Sequence, residues 1–134
     1  MENRKSEWSL LKHDVPGRNI VLTEASGKAT AKAVQELTAY VVEKGKNFKG
    51  KWAYAPNIEK LDPVEQPETQ QAFAELHKKC EEAGCAAMAF ISGGLAAIKV
   101  QAKRHQRTAQ TGKLVEDYFS SKEEALEWLK SLGI

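Results

Sequence analysis

The sequence contains few of the residues that mark a cross-linked, fibrous or membrane-embedded protein. Two cysteines and four prolines among 134 residues exclude a disulfide framework and a proline-rich rod. The longest run without a charged residue, 83–98, is too short to span a bilayer and is interrupted by Ser92-Gly93-Gly94. A chain of this length buries roughly two-thirds of its unfolded surface, so it is expected to fold without a disulfide or metal.

Neither sign of charge is in marked excess, since 20 Lys and Arg face 18 Asp and Glu. The basic residues between 99 and 113 are nevertheless unaccompanied by acids. Lys99, Lys103 and Arg107 are four residues apart, so on a helix they form one stripe. This stripe is either an ordinary solvated face or a contact for an acidic protein partner or a lipid headgroup. No aromatic residues interleave with it, and nucleic acid is therefore disfavoured.

Hydrophobic periodicity divides residues 1–134 into alternating strands and helices, which we interpret as one domain. The predicted strands are 8–11, 20–25, 51–55, 85–91 and 114–119, and a helix follows each of the last four. A short turn with Pro16-Gly17 joins the first two strands and predicts an antiparallel hairpin. Strand–helix–strand crossovers make the other strands parallel. The predicted fold class is α/β: a five-stranded mostly parallel sheet with an N-terminal antiparallel hairpin and four helices (β-β-α-β-α-β-α-β-α).

Each helix is indicated by apolar residues that recur at three- and four-residue steps. They are Val34, Leu37 and Val41; Phe73, Leu76, Cys80 and Ala83; Leu95, Ile98 and Ala102; and Ala125, Trp128, Leu129 and Leu132. Thr30 is the expected N-cap of the first helix. Ser120-Ser121, followed by Glu123-Glu124, offers the last helix a capping box in either of two registers.

The third strand is expected to end at Pro56, because proline cannot donate to a strand ladder. The segment from Asn57 to Pro67 holds two further prolines and several acids, and we interpret it as a loop. Long loops inside compact domains are often functional, although a plain solvated loop is the alternative. Pro67 suits the first turn of the second helix.

The turn Ser92-Gly93-Gly94 is the most suggestive local feature, because it follows the apolar strand 85–91 and precedes a predicted helix. Backbone N–H groups and the helix dipole favour an anion at such a place. Ligands also bind beyond the carboxyl ends of parallel strands. The alternative is that the glycines permit a tight turn and Ser92 caps the helix.

The predicted loop should emerge at the same end of the sheet as this turn. Asn57, Glu59 and Asp62 would then face Ser92 across a cleft. The predicted ligand-binding residues are therefore Asn57, Asp62, Ser92, Gly93 and Gly94, for a small anionic or apolar ligand. Lys99, Lys103 and Arg107 are the predicted partner-binding residues.

No pattern in the sequence indicates catalytic, cofactor or metal chemistry. His77 and Cys80 are one helical turn apart and Cys85 follows, but Cys80 lies on an apolar face and no fourth ligand is in view. The turn at Ser92 is neither a Walker loop nor a nucleophile elbow. We expect no metal and no cofactor.

Two segments resemble the STAS-like proteins related to bacterial anti-sigma-factor antagonists. Residues 118–129, Tyr-Phe-Ser-Ser-Lys-Glu-Glu-Ala-Leu-Glu-Trp-Leu, are similar to that family's strand, polar cap and Glu-Ala-X-X-Trp-Leu helix. Residues 25–30, Ala-Ser-Gly-Lys-Ala-Thr, resemble its entry into the first helix. The resemblance implies a STAS-like sheet and a regulatory or binding role rather than catalysis. Its wider fold relatives include lipid carriers, which makes an apolar ligand conceivable.

One departure from the family concerns its phosphorylatable serine, which opens the helix after the third strand. Residues 57–67 contain no Ser or Thr, and the nearest hydroxyl is that of Thr69, inside the predicted helix. A phosphorylation switch is therefore not expected.

The sequence thus predicts a non-enzymatic STAS-like domain. Its expected location is cytoplasmic, because the polar residues 1–7 are followed by no apolar signal region. It would bind a protein partner or a small ligand, and a homodimer stays open. The alternative is a small-molecule or lipid-binding carrier, or a small enzyme, with a pocket at the C-terminal ends of the strands.

Overall fold

Every strand of the sheet lies beside its neighbour in sequence. The computed structural model describes residues 7–93 and 114–134, and these residues contain five strands in the spatial order β1-β2-β3-β4-β5. The strands are β1 Ser9–His13, β2 Ile20–Gly27, β3 Trp52–Leu61, β4 Cys85–Ile91 and β5 Val115–Phe119. Strand β1 is antiparallel to β2, and the other three pairs are parallel. The predicted mostly parallel sheet with its N-terminal hairpin is confirmed.

Helices cover both faces of this sheet. Within the described residues they are α1 Ala31–Lys46, α2 Pro67–Glu82 and α3 Lys122–Ser131. Helices α1 and α2 pack on each other and on one face, while α3 packs on β3 and β4 from the other. Three of the four predicted helices are thereby seen. The fourth, marked by Leu95, Ile98 and Ala102, lies outside the described residues.

Side-chain caps fix where two of the helices begin. Thr30 Oγ1 accepts a hydrogen bond from the N–H of Ala33 at 3.1 Å, as expected of an N-cap. Ser121 Oγ accepts a hydrogen bond from the N–H of Glu124 at 3.2 Å. Ser121 rather than Ser120 is therefore the N-cap of α3, which settles the register that the sequence left open. Pro67 occupies the first turn of α2, where its missing N–H removes no intrahelical hydrogen bond.

The predicted end of the third strand at Pro56 is wrong, because β3 continues to Leu61. Where β3 pairs with β4, Tyr54 is opposite Met88, and the next paired residue of β3 is Asn57, which is opposite Ile91. Pro56 falls in the interval between them, where its missing N–H interrupts the ladder without ending the strand. The predicted loop from Asn57 to Pro67 is consequently reduced to residues 62–66.

Large and small side chains alternate along the two central strands. In β3, Trp52 and Tyr54 face α1 and α2, whereas Ala53 and Ala55 face α3. In β4 the α1/α2 face carries Met88 and Phe90, and the α3 face carries Ala87, Ala89 and Ile91. Alternating side chains point to opposite faces of a strand, so β4 is a central strand buried on both sides, as predicted. The aromatic side of the sheet is the side on which a cavity forms.

Candidate functional site

An apolar cavity, here called the chamber, lies between the sheet and helices α1 and α2. Its volume is about 60 Å³. It is lined by Trp8, Thr23, Ala25, Leu37, Tyr54, Pro56, Ile58, Leu61, Val64, Phe73, Leu76, His77, Met88 and Phe90. Most natural cores leave few voids larger than a water molecule, so a partly open apolar space of this size beside the core is a candidate ligand site.

The segment interpreted as a functional loop does line the chamber, but with apolar side chains. Ile58 and Leu61 reach it from the end of β3, and Val64 reaches it from the short connection to α2. Because β3 continues through Pro56, Ile58 points to the same face as Tyr54. The additional length of β3 therefore builds a wall of the cavity, and the polar residues between these positions are not part of its lining.

Two buried hydroxyls from neighbouring strands meet in the chamber. Thr23 Oγ1 of β2 and the phenolic oxygen of Tyr54 of β3 are 2.9 Å apart, and each residue is 1% exposed. Either oxygen can be the donor. Burial raises the pKa of Tyr54 well above its usual range, so the phenol keeps its proton.

A buried polar chain lies beside the chamber and joins α2 to β5. His77 Nε2 is 2.9 Å from Glu116 Oε2, and Tyr118 O–H donates to Glu116 Oε1 at 3.1 Å. The His77 and Glu116 side chains are only 4% and 2% exposed. The His77 ring stacks on Phe90, which stacks on Tyr118. Burial and the neighbouring Glu116 carboxylate raise the pKa of Tyr118 far above its usual range.

The hydrogen-bond partners of His77 determine how many protons the His77–Glu116 pair holds. His77 Nδ1 lies 3.2 Å from the carbonyl oxygen of Phe73, which can only accept, so Nδ1 carries a proton. A single proton then lies between His77 Nε2 and Glu116 Oε2. Whichever atom holds it, the pair as a whole carries no net charge. Because buried polar groups are costly without partners, this pair fixes α2 against β5.

Three of the predicted ligand-binding residues, Asn57, Ser92 and Gly93, lie at one end of the sheet. Asn57 is paired with Ile91, the residue before Ser92. Glu59, which follows on β3, packs on Gly93, where a Cβ atom would be 2.6 Å from Glu59 Cγ. The N–H of Ser92 donates to Phe119 at 2.9 Å. The end of β3 and the turn after β4 therefore adjoin, as the prediction required.

The remaining predicted residues are more dispersed or lie outside the described part of the chain. Asp62 is held beside the end of β2, where its N–H donates to the Gly27 carbonyl at 2.9 Å. Asn57 Oδ1 accepts from the N–H of Glu59 at 3.0 Å. Gly94 and the stripe Lys99, Lys103 and Arg107 belong to residues that the structure does not describe.

A second cavity, of about 100 Å³, lies near Asn57 on the α3 face of the sheet. Its polar lining includes His13 and Glu24, whose side chains are 3.5 Å apart, and Lys122 at the start of α3. This cavity is the place where the predicted site at the strand ends would hold an anionic ligand. That assignment stays a prediction.

Both cysteines are free and buried, and burial limits the reactivity of their thiols. Burial raises the pKa of Cys85 to about 12 and that of Cys80 further, so both remain thiols at neutral pH. Thiols of this kind are poor nucleophiles and poor metal ligands. In the described ranges, 7–93 and 114–134, no three His, Cys, Asp or Glu side chains are grouped so that they could hold a metal ion.

The site residues that sequence analysis missed are Thr23, Tyr54, His77, Glu116 and Tyr118. The only available signal was His77, which falls on the apolar face of α2 together with Phe73, Leu76 and Cys80. A histidine at such a position needs a buried partner. Nothing local in the sequence indicates that the partner is Glu116, 39 residues away.

Comparison with known proteins gives a fold but no family. No family model and no curated protein matches the sequence. Solved structures that share the fold include an uncharacterized protein of the DUF3478 family with a SpoIIAA-like fold from Shewanella loihica PV-4. It is 18% identical, with 96% of this chain and 98% of that chain covered and a TM-score of 0.69.

An anti-sigma factor antagonist from Mycobacterium paratuberculosis is also similar in structure. It is 10% identical, with 96% of this chain and 99% of that chain covered and a TM-score of 0.63. At such identities the likeness shows the fold alone. It confirms the STAS-like, SpoIIAA-like architecture that the sequence resemblance implied. The helices in the described residues include none that is long and apolar enough to cross a bilayer.

Proposed function

We propose that this chain is a STAS-like binding domain with a regulatory rather than catalytic role, which takes a small apolar molecule into the chamber. The observation that carries the proposal is the cavity itself, which lies between the sheet and α1/α2 and is lined almost entirely by apolar side chains. Of the two roles open from the sequence, partner binding and ligand binding, the geometry favours the second.

The size and polarity of the chamber support an apolar occupant. Its volume of about 60 Å³ exceeds what a single water molecule needs. Apolar cavities tend to stay dry and take up apolar guests. Trp8 and Phe73 line the chamber and are only half-buried, so a larger guest would displace these two aromatic side chains rather than the sheet.

The polar groups of the chamber favour binding over catalysis. The His77–Glu116 pair is satisfied within the protein, and the Tyr54 phenol keeps its proton. A catalytic group needs instead to face the reacting atom with a free donor or acceptor. The sole thiols in the printed sequence, Cys80 and Cys85, keep their protons.

A regulatory role is supported by likeness in fold to an anti-sigma factor antagonist. The serine switch of such proteins is not part of the proposal. Helix α2 begins after Gln66 with no side-chain cap, and Thr69 is 2% exposed, so a kinase would find no accessible hydroxyl at Thr69. Binding of an acidic partner by Lys99, Lys103 and Arg107 stays a prediction.

The test is a titration of ¹⁵N-labelled protein with toluene, followed by amide chemical shifts. Saturable shifts are expected at Thr23, Tyr54 and His77. Ala25 lines the chamber, so Ala25→Leu should fill it and abolish the shifts. The matched control is Ala39→Leu, which adds the same atoms to an exposed position of α1 and should leave binding unchanged.

Shifts that persist in Ala25→Leu would place the guest outside the chamber, and an absence of saturable shifts in the parent protein would refute the proposal. Filling a void does not by itself unfold a domain, and circular dichroism of both variants verifies this.

A further inference from the structure

We infer, on the basis of the proposed function, that the natural ligand is an uncharged molecule with a carbonyl or similar acceptor oxygen, which the Thr23–Tyr54 hydroxyl pair holds in the chamber. An apolar cavity would also admit two other classes of ligand. One is simple hydrocarbons, and the other is carboxylic acids such as fatty acids. The choice of an uncharged acceptor follows from the donors and the charges that the lining presents.

The hydroxyl pair has a donor to spare. Thr23 Oγ1 and the Tyr54 phenol each carry one proton, and the 2.9 Å hydrogen bond between them uses one of the two. The second proton is left in an apolar space, where an unsatisfied donor is costly. An acceptor oxygen on the guest would satisfy it, and a hydrocarbon would not.

The pair is also held rigidly. Thr23 and Tyr54 lie on adjacent parallel strands, where Tyr54 pairs with Val21 and Thr23 with Pro56. Both residues are 1% exposed, and their hydrogen bond fixes the two hydroxyls relative to each other. Donors fixed on strands recognise an acceptor at a defined place.

The titratable imidazole of the lining, His77, offers no competing anchor. Both nitrogens of His77 are occupied, Nδ1 by the Phe73 carbonyl and Nε2 by Glu116. Among the lining residues that the structure describes, His77 is the one able to carry a positive charge. Because its pair with Glu116 has no net charge, the chamber holds no unpaired cation for a carboxylate, and burying an unpaired carboxylate is strongly unfavourable.

The experiment compares three probes of equal chain length, 2-heptanone, heptanoate and 1-heptene, by the same amide-shift titration at neutral pH. The ketone is expected to bind about tenfold more tightly than the alkene, the worth of one buried hydrogen bond. Heptanoate is expected not to bind in the chamber. The double variant Thr23→Val/Tyr54→Phe should bind the ketone only as tightly as the alkene.

The double variant is used because either hydroxyl alone still has a proton to donate. Replacing both partners of a buried hydrogen bond by apolar groups of the same shape is nearly neutral for folding. The control is Thr38→Val, which removes another buried hydroxyl, one bonded to the Val34 carbonyl within α1. It should leave the preference for the ketone intact.

The outcomes separate this inference from the proposed function. Heptanoate binding as tightly as the ketone, equal binding of ketone and alkene, or a preference that survives in the double variant would each overturn the inference and leave apolar binding in place. If none of the three probes shifts the chamber amides, the proposed function fails and the inference fails with it.

Discussion

Trp52 is enclosed on several sides in the centre of the α1/α2 face. The residue is 1% exposed, and its indole N–H donates to the Ala83 carbonyl at 3.1 Å. Gly45 of α1 lies directly against the six-membered ring, where a Cβ atom would overlap three ring carbons. Glycine often lies just beyond the end of a helix, whereas Gly45 lies inside α1, which continues to Lys46, and packs on Trp52.

Replacing Gly45 with alanine therefore tests packing against helix propensity. Alanine is better than glycine in a helix by about 1 kcal/mol, but forcing a methyl group into a filled core costs about 1–3 kcal/mol. We expect Gly45→Ala to lower the free energy of unfolding, as measured by urea denaturation.

The control for this variant is a double-mutant cycle with Trp52→Phe, which removes the overlapping ring. In that background Gly45→Ala should cost at least about 1 kcal/mol less, because the two residues are in contact. A stabilising effect of Gly45→Ala in the parent protein would contradict the packing described for Trp52.

Glu116 is the residue on which the buried polar chain depends. Glu116→Leu would leave His77 Nε2 and the Tyr118 hydroxyl buried without partners, at a cost of about 1–3 kcal/mol for each group. Glu116→Gln keeps both hydrogen bonds, because its amide donates to neutral His77 and its carbonyl accepts from Tyr118. We expect a loss of about 3 kcal/mol for leucine and less than about 1 kcal/mol for glutamine in urea unfolding. Equal losses would mean that the carboxylate's charge, rather than its hydrogen bonds, holds α2 to β5.

Helix α3 is the element that closes the second face of the sheet. Ala125 and Leu129 are fully buried in it. The turn between β1 and β2 also binds this helix, since Arg18 donates to the carbonyls of Leu126 and Ile134 at 2.9 and 3.1 Å. The start of the helix depends on Ser121, whose hydroxyl accepts from Glu124 N–H.

Ser121→Ala should lower the free energy of unfolding by about 1 kcal/mol, the usual cost of losing an N-cap. Thermal unfolding followed by circular dichroism measures the change. The matched control is Ser131→Ala in the last turn of the same helix, where the exposed hydroxyl bonds only the Trp128 carbonyl. This control should stay within about 0.5 kcal/mol of the parent, and an equal loss in both variants would argue against Ser121 as the cap.

The strands show how far local patterns predict this fold. Strand β4 was predicted with the bounds found, Cys85–Ile91, because a short apolar run between glycines has few other interpretations. The predicted end of β3 at Pro56 was too early, because a proline ends a strand only where the missing N–H donor is needed by the neighbouring strand. Whether that donor was needed depends on the register with β4, which no local pattern contains.

The buried thiols lower the free energy of unfolding of the whole molecule at alkaline pH. Burial raises the pKa of both thiols from an ordinary value of 9.0, to about 12 for Cys85. Above that ordinary value the unfolded chain releases these protons and the folded chain keeps them. The free energy of unfolding is therefore fully retained below about pH 9 and falls as the pH rises, by about 1.4 kcal/mol per pH unit for each thiol.

Cys85→Ala should reduce this slope by about 1 kcal/mol per pH unit between about pH 9 and pH 10, because the thiol of the unfolded chain is only partly ionised near its ordinary pKa. The measurement is urea unfolding at several pH values in that range, for the parent and the variant. The comparison concerns the slope, so the constant cost of removing the sulfur atom does not affect it. An unchanged slope would show that Cys85 titrates alike in the folded and unfolded states.

The chamber could not be predicted from sequence for a reason that belongs to the whole molecule. Its lining runs from Trp8 to Phe90 and draws on the segment before β1, three strands and two helices. Periodicity identifies these side chains as buried but does not say how completely they fill the space between them. Cavities depend on the fit of distant side chains, which only the assembled fold defines.

The order of the strands also bears on how the protein is made. Because β1 to β5 occur in the sheet in the order of synthesis, each can join an existing edge as it leaves the ribosome, and none has to be inserted between two others. After β4 and before β5 has left the ribosome, the apolar β4 is the edge of the growing sheet, and an uncovered edge of this kind recruits strands from other chains. A delay in elongation during this interval would thus be the point in translation at which nascent chains are most prone to aggregate.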